Sequence, residues 1–268
     1  MESSLEKFSD FLNRHHAVEK RIDDPDSSSD FFAEALKLPE IVGFTALADT
    51  LAYARLLTEL LRITAGANSR RLIDLGIGSA IPSIIALRDN PQNLDLKVIG
   101  IDTDAAALQT ASENAETFGV SRRFQFYQGD FLKVMDDLVL DSKTLIGSNP
   151  PYLPVPESVK NSKFSSINGG TDGTFYLKKI LQHPFPSGSV LALAWSSLSN
   201  PAVIISLMEK NYEILYVHSY IAKFGVYTKS NELAPHLEAE RNADRCLYFT
   251  GNDGIHRQWI LGTILRRL

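Results

Sequence analysis

The chain has 268 residues, of which 44% are hydrophobic and 22% are charged, and its formal charge at pH 7 is −5. These values are ordinary for a globular protein with a sizeable core, and the acidic balance argues against nucleic acid as a partner. The single cysteine, Cys246, excludes an internal disulfide framework, and no apolar run is long enough to span a bilayer. With no signal-like segment, we expect a cytoplasmic protein with no membrane partner. The histidines show no metal-ligand spacing, so no metal site is predicted.

Residues 1–66 are predicted to be mainly helical. Apolar residues recur with a helical period over Leu5 to Ile22, and a polar stretch at 23–30 then interrupts the pattern. Further helices are predicted over Phe31 to Leu38 and Ala46 to Ile63. The segment Ala65-Gly66-Ala67-Asn68-Ser69 links the last of these helices to the first predicted strand.

From residue 67 onward, predicted strands alternate with predicted helices. This alternation is typical of an α/β protein with a doubly wound, mostly parallel sheet. Seven strands are expected: one beginning at Arg71, then Lys97 to Ile101, Phe124 to Tyr127, Thr144 to Gly147, Ser189 to Trp195, Tyr212 to Ala222 and Gln258 to Leu265. The last two enclose a long stretch, Lys223 to His256, and loops of that length are usually functional or partly disordered.

The first predicted strand runs into a glycine turn. Gly76 and Gly78 allow the backbone to approach a ligand closely, and the helix predicted over Ile81 to Leu87 offers N–H groups at its start. A dinucleotide-binding fingerprint would need glycine at position 81, where this chain has isoleucine. The turn therefore suits a nucleoside that carries a carboxylate better than a pyrophosphate.

Acidic residues follow the next two strands. Asp102 ends the second strand and is placed to accept hydrogen bonds from ribose hydroxyls, while Asp104 or Thr103 would better serve to cap the following helix. Asp130 follows the third strand, where its carboxylate could accept from an exocyclic amine.

A run of two prolines follows the fourth strand, in Asn149-Pro150-Pro151-Tyr152. The prolines fix the backbone and remove two N–H donors, which leaves the Asn149 amide and nearby carbonyls as rigidly placed hydrogen-bonding groups. This arrangement suits the holding of a planar NH₂ group by its hydrogens. Taken alone, the motif is more often an ordinary proline-rich turn.

These motifs in this order resemble the class I S-adenosylmethionine-dependent methyltransferases, and within them the HemK/PrmC group of N-methyltransferases. The resemblance covers about Arg71 to Leu181. It rests on Asp74-Leu75-Gly76-Ile77-Gly78-Ser79, Ile101-Asp102, Gln128-Gly129-Asp130, Ser148-Asn149-Pro150-Pro151-Tyr152 and Gly169-Gly170-Thr171-Asp172-Gly173.

The resemblance implies S-adenosylmethionine as the cofactor and a planar nitrogen, most simply a protein glutamine amide, as the acceptor. The implied catalytic residues are Asn149, Pro150 and Tyr152; a less favoured alternative is that Tyr152 anchors its loop. The implied cofactor-binding residues are Asp74, Gly76, Gly78, Asp102, Thr103, Asp130, Phe131 and Asn149. Asp74 could instead orient the glycine turn through backbone N–H groups, and Phe131 could equally serve the core. The Gly169 to Gly173 segment is expected to be structural and to lead into a helix over Thr174 to Leu181.

The chain departs from the release-factor glutamine methyltransferases of this group at both ends. Residues 1–66, expected to recognise substrate, are shorter than their counterpart and lack its Arg-Pro-Glu-Thr element, whereas Lys223 to His256 is longer. Residues 67–268 are expected to form the catalytic domain. Phe44, Tyr227 or Trp195 could supply apolar walls on the acceptor side. A small amine, amide or amino-acid derivative remains an alternative acceptor, as does a methyltransferase-like module without activity; the oligomeric state is open.

Overall fold

A computed structural model describes residues 3–15, 18–22, 47–65, 69, 71–92, 95–138, 140–159 and 164–268. The helices in this part are α1 (Ser4–Arg14), α2 (Leu47–Ile63), α3 (Ile81–Asp89), α4 (Ala105–Thr117), α5 (Phe131–Asp137), α6 (Phe175–Gln182), α7 (Pro201–Asn211) and α8 (Ala234–Asn242). The strands are β1 (Val18–Ile22), β2 (Arg71–Leu75), β3 (Lys97–Asp102), β4 (Phe124–Gln128), β5 (Leu145–Ser148), β6 (Val190–Ser196), β7 (Tyr212–Lys223), β8 (Phe249–Thr250) and β9 (His256–Arg267).

The described residues form two compact units, each discontinuous in sequence. Unit 1 is drawn from Met1–Ser27, Pro150–His183 and Trp195–Gly262. Unit 2 is drawn from Ser28–Asn149, Pro184–Ala194 and Thr263–Leu268. Strands β6 and β9 contribute residues to both units.

The sheet of unit 2 has the strand order β9-β6-β5-β2-β3-β4. The chain passes from β2 outward to β3 and β4, and then returns to the other side of β2 for β5 and β6, each paired in parallel with its neighbour. This reversal of direction beside β2 is the doubly wound arrangement, in which ligands bind beyond the carboxyl ends of the strands at the point of reversal.

Central parallel strands are covered on both faces and are therefore continuously apolar. Every residue of β5 and β6 is buried, and so are the last four residues of β2. The end of β9 closes this sheet in the antiparallel sense: Arg267 bonds to Gly188 and Ser189, while the Thr263 hydroxyl donates to the carbonyl of Leu193. Helix α2 packs against α3, whose first seven residues are all buried.

In unit 1, β7 lies between β1 and β9, and β1 runs parallel to β7. Helix α1 begins with a capping box, in which Ser3 and Glu6 bond each other's backbone N–H groups. Its buried Phe8 and Phe11 direct their rings against Trp195, with centroid distances of 6.3 and 6.2 Å. This aromatic cluster is part of the buried core of the unit.

The predicted mostly parallel α/β fold is confirmed, and each of the seven predicted strands is present. The described residues hold nine strands rather than seven, because β1 and the two-residue β8 are additional. The single helix predicted over Leu5 to Ile22 is wrong: α1 ends at Arg14, and Val18–Ile22 is a strand. Backbone pairing with β7 prevails there over the local helical pattern.

Two other expectations concern segments between the strands. The stretch Lys223 to His256 is not an irregular loop, since it contains α8 and β8 and buries Leu233 and Leu237. The predicted helix over Phe31 to Leu38 lies outside the described residues.

Candidate functional site

Four of the five motifs end at the same edge of unit 2. In the parallel register, Leu75 pairs with Ile101 on one side and with Ser148 on the other. Asp102 pairs with Gln128. The residues that follow these positions, which include the glycine turn, Asp130 and Asn149, therefore leave the sheet together at its carboxyl edge. This is the edge at which open α/β sheets bind ligands.

The glycine turn follows β2 and has an unusual backbone. Gly76 and Gly78 have φ angles of 75° and 54°, values that glycine adopts readily. The N–H groups of Gly76 and Ile77 donate to the carbonyl of Ile101 at 2.8 and 3.1 Å, which holds the turn against β3. A Cβ atom built on either glycine would meet no atom of the described residues within 4 Å, apart from those of its chain neighbours. The turn therefore has an open side, and that side fits the close approach of a ligand.

Asp102 ties the turn to the end of β3. Its Oδ2 accepts from the backbone N–H of Gly78 and its Oδ1 from that of Asp104, both at 3.0 Å. Each carboxylate oxygen keeps a further lone pair for a ligand hydroxyl. The capping role falls to Asp104, whose side chain accepts from the N–H of Ala106 at the start of α4. The neighbouring Thr103 is exposed, and its carbonyl accepts from Gln128 at 3.4 Å.

Asp130 caps α5. Its Oδ1 accepts from the N–H of Leu132 at 3.0 Å, and its half-exposed side chain has no other hydrogen bond within the described part of the chain. The second oxygen is thus available to an amine, as the sequence predicts. Phe131 is only 7% exposed, so protein atoms already cover most of its ring. Its contact with adenine stays a prediction.

Asp74 lies within β2 and is completely buried. Its carboxylate accepts from the hydroxyl of Tyr53 at 2.7 Å and from that of Ser83 at 2.6 Å. These partners are side-chain hydroxyls, whereas the alternative offered by the sequence is backbone N–H groups of the glycine turn. Burial raises the pKa of Asp74 to about 6; the bonds from Ser83 and Tyr53 lower this pKa, and the charge of Asp102 raises it. A direct contact between Asp74 and a cofactor stays a prediction.

Asn149 follows β5 directly. The hydroxyl of the preceding residue, Ser148, donates to the carbonyl of Leu75 at 2.9 Å and joins the ends of β5 and β2. Asn149 itself is half-buried, and its side chain makes no hydrogen bond to any described residue. Because buried polar groups usually have hydrogen-bond partners, a half-buried amide that lacks one among the described residues is available to a ligand.

The loop that follows Asn149 belongs to unit 1, and there Pro150 and Tyr152 are buried. The backbone of Tyr152 passes so close to Gly169 that a Cβ atom added at Gly169 would lie 2.7 Å from the Cα of Tyr152. A Cβ atom at Gly173, whose φ is 74°, would overlap the carbonyl oxygen of Tyr152. The structural role predicted for these glycines is confirmed: they let two stretches of backbone come into contact.

Hydrogen bonds fix the same two stretches. Leu153 exchanges backbone bonds with Ile167 and Gly169 at 3.0 and 2.9 Å. The hydroxyl of Ser199, which follows β6, donates to the carbonyl of Tyr152 at 2.8 Å. With Tyr152 only 6% exposed, its position is determined by packing, and a contact of its ring with a ligand stays a prediction.

Asp172 organises the turn between Gly169 and α6. Its carboxylate accepts from the N–H and hydroxyl of Thr174 and from the side chains of Lys178 and Asn200. Burial raises the pKa of Asp172, but the bonds from Thr174 and the charge of Lys178 outweigh this effect, so the pKa is lower than usual. From α8, the Nε2 of His236 lies 2.7 Å from the carbonyl oxygen of Thr171.

Sequence reasoning missed Tyr53, Ser83, Ser199 and His236, because each reaches its partner from a distant or differently folded part of the chain. Only Ser83, nine residues after Asp74, had a local signal, as one of the few polar residues in an apolar helix. The expected apolar wall at Trp195 is wrong, since that side chain is fully buried in the core of unit 1. Tyr227 is 39% exposed. Phe44 lies outside the described residues.

Among the described residues, no group of three or more histidine, cysteine or acidic side chains is arranged to hold a metal ion. None of the described helices is both long enough and apolar enough to span a membrane.

Comparisons with known proteins place these motifs. Residues 67–189 match the family model described as a methyltransferase domain. Release factor glutamine methyltransferases are similar to the chain: that of Gloeobacter violaceus is 30% identical over 154 residues, which are 53% of this chain and 50% of the relative. That of Nitratidesulfovibrio vulgaris is 39% identical over 87 residues, 32% of this chain and 28% of the relative. The chain thus spans half or less of the length of these curated relatives.

A solved structure from Pyrococcus horikoshii, described as a candidate RNA methyltransferase, shares the fold. It matches with a TM-score of 0.51 and 14% identity, over 88% of this chain and 96% of that one. At this identity the match concerns the fold alone. Together with the ordered motifs at the carboxyl edge of unit 2, the family match and the similar relatives support a class I S-adenosylmethionine-dependent methyltransferase domain of the HemK/PrmC type.

Proposed function

We propose that the chain is an S-adenosylmethionine-dependent N-methyltransferase whose acceptor is the side-chain amide of a protein glutamine. The observation that carries this proposal is the available carboxamide of Asn149, half-buried at the end of β5 without a hydrogen bond to any described residue. The similarity to release factor glutamine methyltransferases supports the choice of acceptor.

The residues of the donor site fit S-adenosylmethionine. The open side of Gly76 and Gly78 accommodates the amino-acid part of the donor, and Asp102 accepts from the ribose hydroxyls. Thr103 lies exposed beside Asp102, and the unused oxygen of Asp130 accepts from the adenine amine. When bound, the donor supplies a methyl group on a positively charged sulfur.

The chemical task of the protein is to make an amide nitrogen nucleophilic. The lone pair of that nitrogen is delocalised into its carbonyl, so it reacts poorly in solution. In our proposal, the Asn149 side-chain oxygen and the Pro150 carbonyl accept hydrogen bonds from the two N–H groups of the acceptor amide. These bonds orient the nitrogen and stabilise the positive charge that develops on it. Positioning for in-line displacement supplies much of the remaining acceleration. The proton leaves after methyl transfer, so a strong general base is not required.

We also propose that residues 1–66 and the segment Lys223 to His256 select the acceptor. The second of these packs beside the loop that follows Tyr152: in unit 1, Leu233 forms a buried apolar cluster with Val155 and Phe164. Because the segment Lys223 to His256 is anchored to this loop, its exposed residues can differ between proteins without any change at the strand ends of unit 2.

A labelling experiment tests the proposed function. The purified chain is incubated with radiolabelled S-adenosylmethionine and cell extract, and label is sorted into protein, nucleic acid and small molecules. We expect label in protein, recovered after digestion as N5-methylglutamine, and none with the Asn149→Ala variant. Label confined to small molecules would overturn the protein acceptor and support the alternative, a small amine, amide or amino-acid derivative. Label in nucleic acid, or no transfer at all, would also contradict the proposal.

A further inference from the structure

The side chains of the two residues that flank the glycine turn form a hydrogen bond with each other. Asp74 lies just before the turn, in β2, and Ser83 lies just after it, in the first turn of α3. The hydroxyl of Ser83 donates to Oδ2 of Asp74 at 2.6 Å, and both side chains are completely buried. This bond closes the base of the loop that contains Gly76 and Gly78, and so it restricts the separation of the two ends of the turn.

A third residue completes the arrangement from a distant part of the chain. Tyr53 of α2 is buried and donates its hydroxyl to Oδ1 of Asp74 at 2.7 Å. The same hydroxyl lies over Gly147 of β5, which pairs with Asp74 in the sheet. A Cβ atom added at Gly147 would lie only 2.5 Å from the Tyr53 oxygen. Tyr53 therefore contacts both strands whose ends carry the glycine turn and Asn149.

We propose that Tyr53, Asp74 and Ser83 form a clasp that holds the glycine turn in its donor-binding conformation, with Tyr53 and Ser83 as positioning residues. The inference rests on the proposed function, because it concerns the binding of S-adenosylmethionine. Gly76 and Gly78 can adopt many backbone conformations, so without restraints at both ends of the turn the donor would have to order it on binding. Closing the base of the turn beforehand removes part of that entropic cost.

The state of the clasp depends on the charge of Asp74. An ionised carboxylate accepts both hydroxyl bonds, whereas a protonated one carries a hydrogen of its own and no longer accepts equally at both oxygens. Burial raises the pKa of Asp74 to about 6. The clasp is therefore complete above about pH 6 and loosens below it. Two other titratable groups act on Asp74: the carboxylate of Asp102 on β3 and the hydroxyl of Tyr53 on α2. The residues of α3 and β5 that face this group, Ser83 and Gly147, are uncharged.

Donor binding across pH tests the clasp. The affinities of S-adenosylmethionine and S-adenosylhomocysteine are measured by calorimetry between pH 5 and 8 for the wild type, Tyr53→Phe and Ser83→Ala. We expect each variant to bind about threefold to tenfold more weakly at pH 7, as for one lost hydrogen bond. Because each hydroxyl lowers the pKa of Asp74, we also expect the pH at which affinity falls to rise by about one unit in each variant.

Tyr212→Phe is the matched control. Tyr212 is also buried, and its hydroxyl donates to the carbonyl of Leu181 at 3.2 Å within unit 1. This variant should lose stability but keep the wild-type donor affinity and pH midpoint, since a general loss of stability does not move that midpoint. If Tyr53→Phe and Ser83→Ala both keep the wild-type donor affinity and the wild-type pH midpoint of binding, the clasp is overturned and the proposed function is not affected. A wild type that binds no donor would instead contradict the proposed function, and the clasp with it.

Discussion

The carboxyl edge of unit 2 and the loop around Tyr152 in unit 1 are built in different ways. At the edge of unit 2, each group is the direct continuation of a strand: the glycine turn follows β2, Asp102 ends β3 and Asn149 follows β5. Around Tyr152, by contrast, the backbone is fixed by Gly169, Gly173 and Ser199, which are distant in sequence. The first region holds its groups ready for a ligand, whereas the second holds a loop in place. Substitutions in the two regions should therefore have separable effects.

The largest effect is expected at Asn149. Asn149→Ala should lower turnover roughly 10²-fold or more, as for removal of one hydrogen-bonding group from a transition state. Donor affinity should be nearly unchanged, because Asn149 is proposed to hold only the acceptor. Single-turnover kinetics and donor calorimetry measure the two quantities separately.

Asn90→Ala is the control for this substitution. Asn90 is a buried asparagine of unit 2 that follows α3, and its amide donates to the carbonyls of Ala86 in α3 and Thr58 in α2. It should lose stability and keep its turnover per folded molecule. Normal turnover by Asn149→Ala would mean that the methylated atom is not an NH₂ group held by this motif.

The second effect concerns the loop around Tyr152. Gly173→Ala has two separate costs. Alanine must adopt a left-handed φ of 74°, and its methyl group overlaps with the Tyr152 carbonyl oxygen. We expect the free energy of unfolding to fall by about 3 kcal/mol, the sum of the backbone and overpacking terms. Donor affinity should stay at the wild-type value in the folded fraction. Urea denaturation and calorimetry provide the two measurements.

Gly119→Ala separates these two terms. Gly119 has a similar φ of 68°, but a Cβ atom there would meet no described residue within 4 Å other than its chain neighbours. We expect a loss of only about 1–2 kcal/mol, from the backbone alone. Equal losses at Gly173 and Gly119 would show that the contact with Tyr152 contributes nothing to stability.

The difference between the two regions also explains what could be predicted from sequence. The strand ends carry their signals locally, since an apolar run followed by glycine, aspartate or Asn-Pro-Pro is visible in a few residues. The parallel sheet then brings these ends together by topology alone. The contacts of Tyr53 with Asp74 and of Ser199 with Tyr152 depend on side chains that meet only after folding. No periodicity or spacing in the sequence specifies such pairs.

The same reasoning accounts for the errors. The pattern over Leu5 to Ile22 is helical to Arg14, but residues 18–22 become a strand because β7 offers them a backbone to pair with. Trp195 is one of three residues that the sequence offers as an apolar wall on the acceptor side. In the structure, Phe8 and Phe11 of α1 pack against it instead. Both errors come from partners far away in the sequence.

The third effect distinguishes two neighbouring acids. Asp102→Ala should weaken donor binding by about 1.5–3 kcal/mol, the value of hydrogen bonds to a charged group. Asp104→Ala removes the cap of α4, so it should lower stability by about 1 kcal/mol and leave donor affinity unchanged. Calorimetry with S-adenosylhomocysteine compares the two variants. If both bind the donor as the wild type does, Asp102 does not belong to the donor site.

The smallest effect is expected at Ser199, where one hydroxyl supports the loop from the end of β6. Ser199 is fully buried, and its bond to the Tyr152 carbonyl is 2.8 Å long. Ser199→Ala leaves that carbonyl without this donor, so we expect stability to fall by about 1 kcal/mol. Because the loop also carries Pro150, we expect the KM for the acceptor to rise by up to about fivefold, the factor that corresponds to a loss of that size. Donor affinity should not change, since Ser199 lies outside unit 2.

Ser206→Ala in α7 removes an exposed hydroxyl that donates to the carbonyl of Ala202, and it should alter neither stability, nor the acceptor KM, nor donor affinity. An unchanged acceptor KM in Ser199→Ala, together with the expected loss of stability, would show that the bond holds the loop without positioning the acceptor.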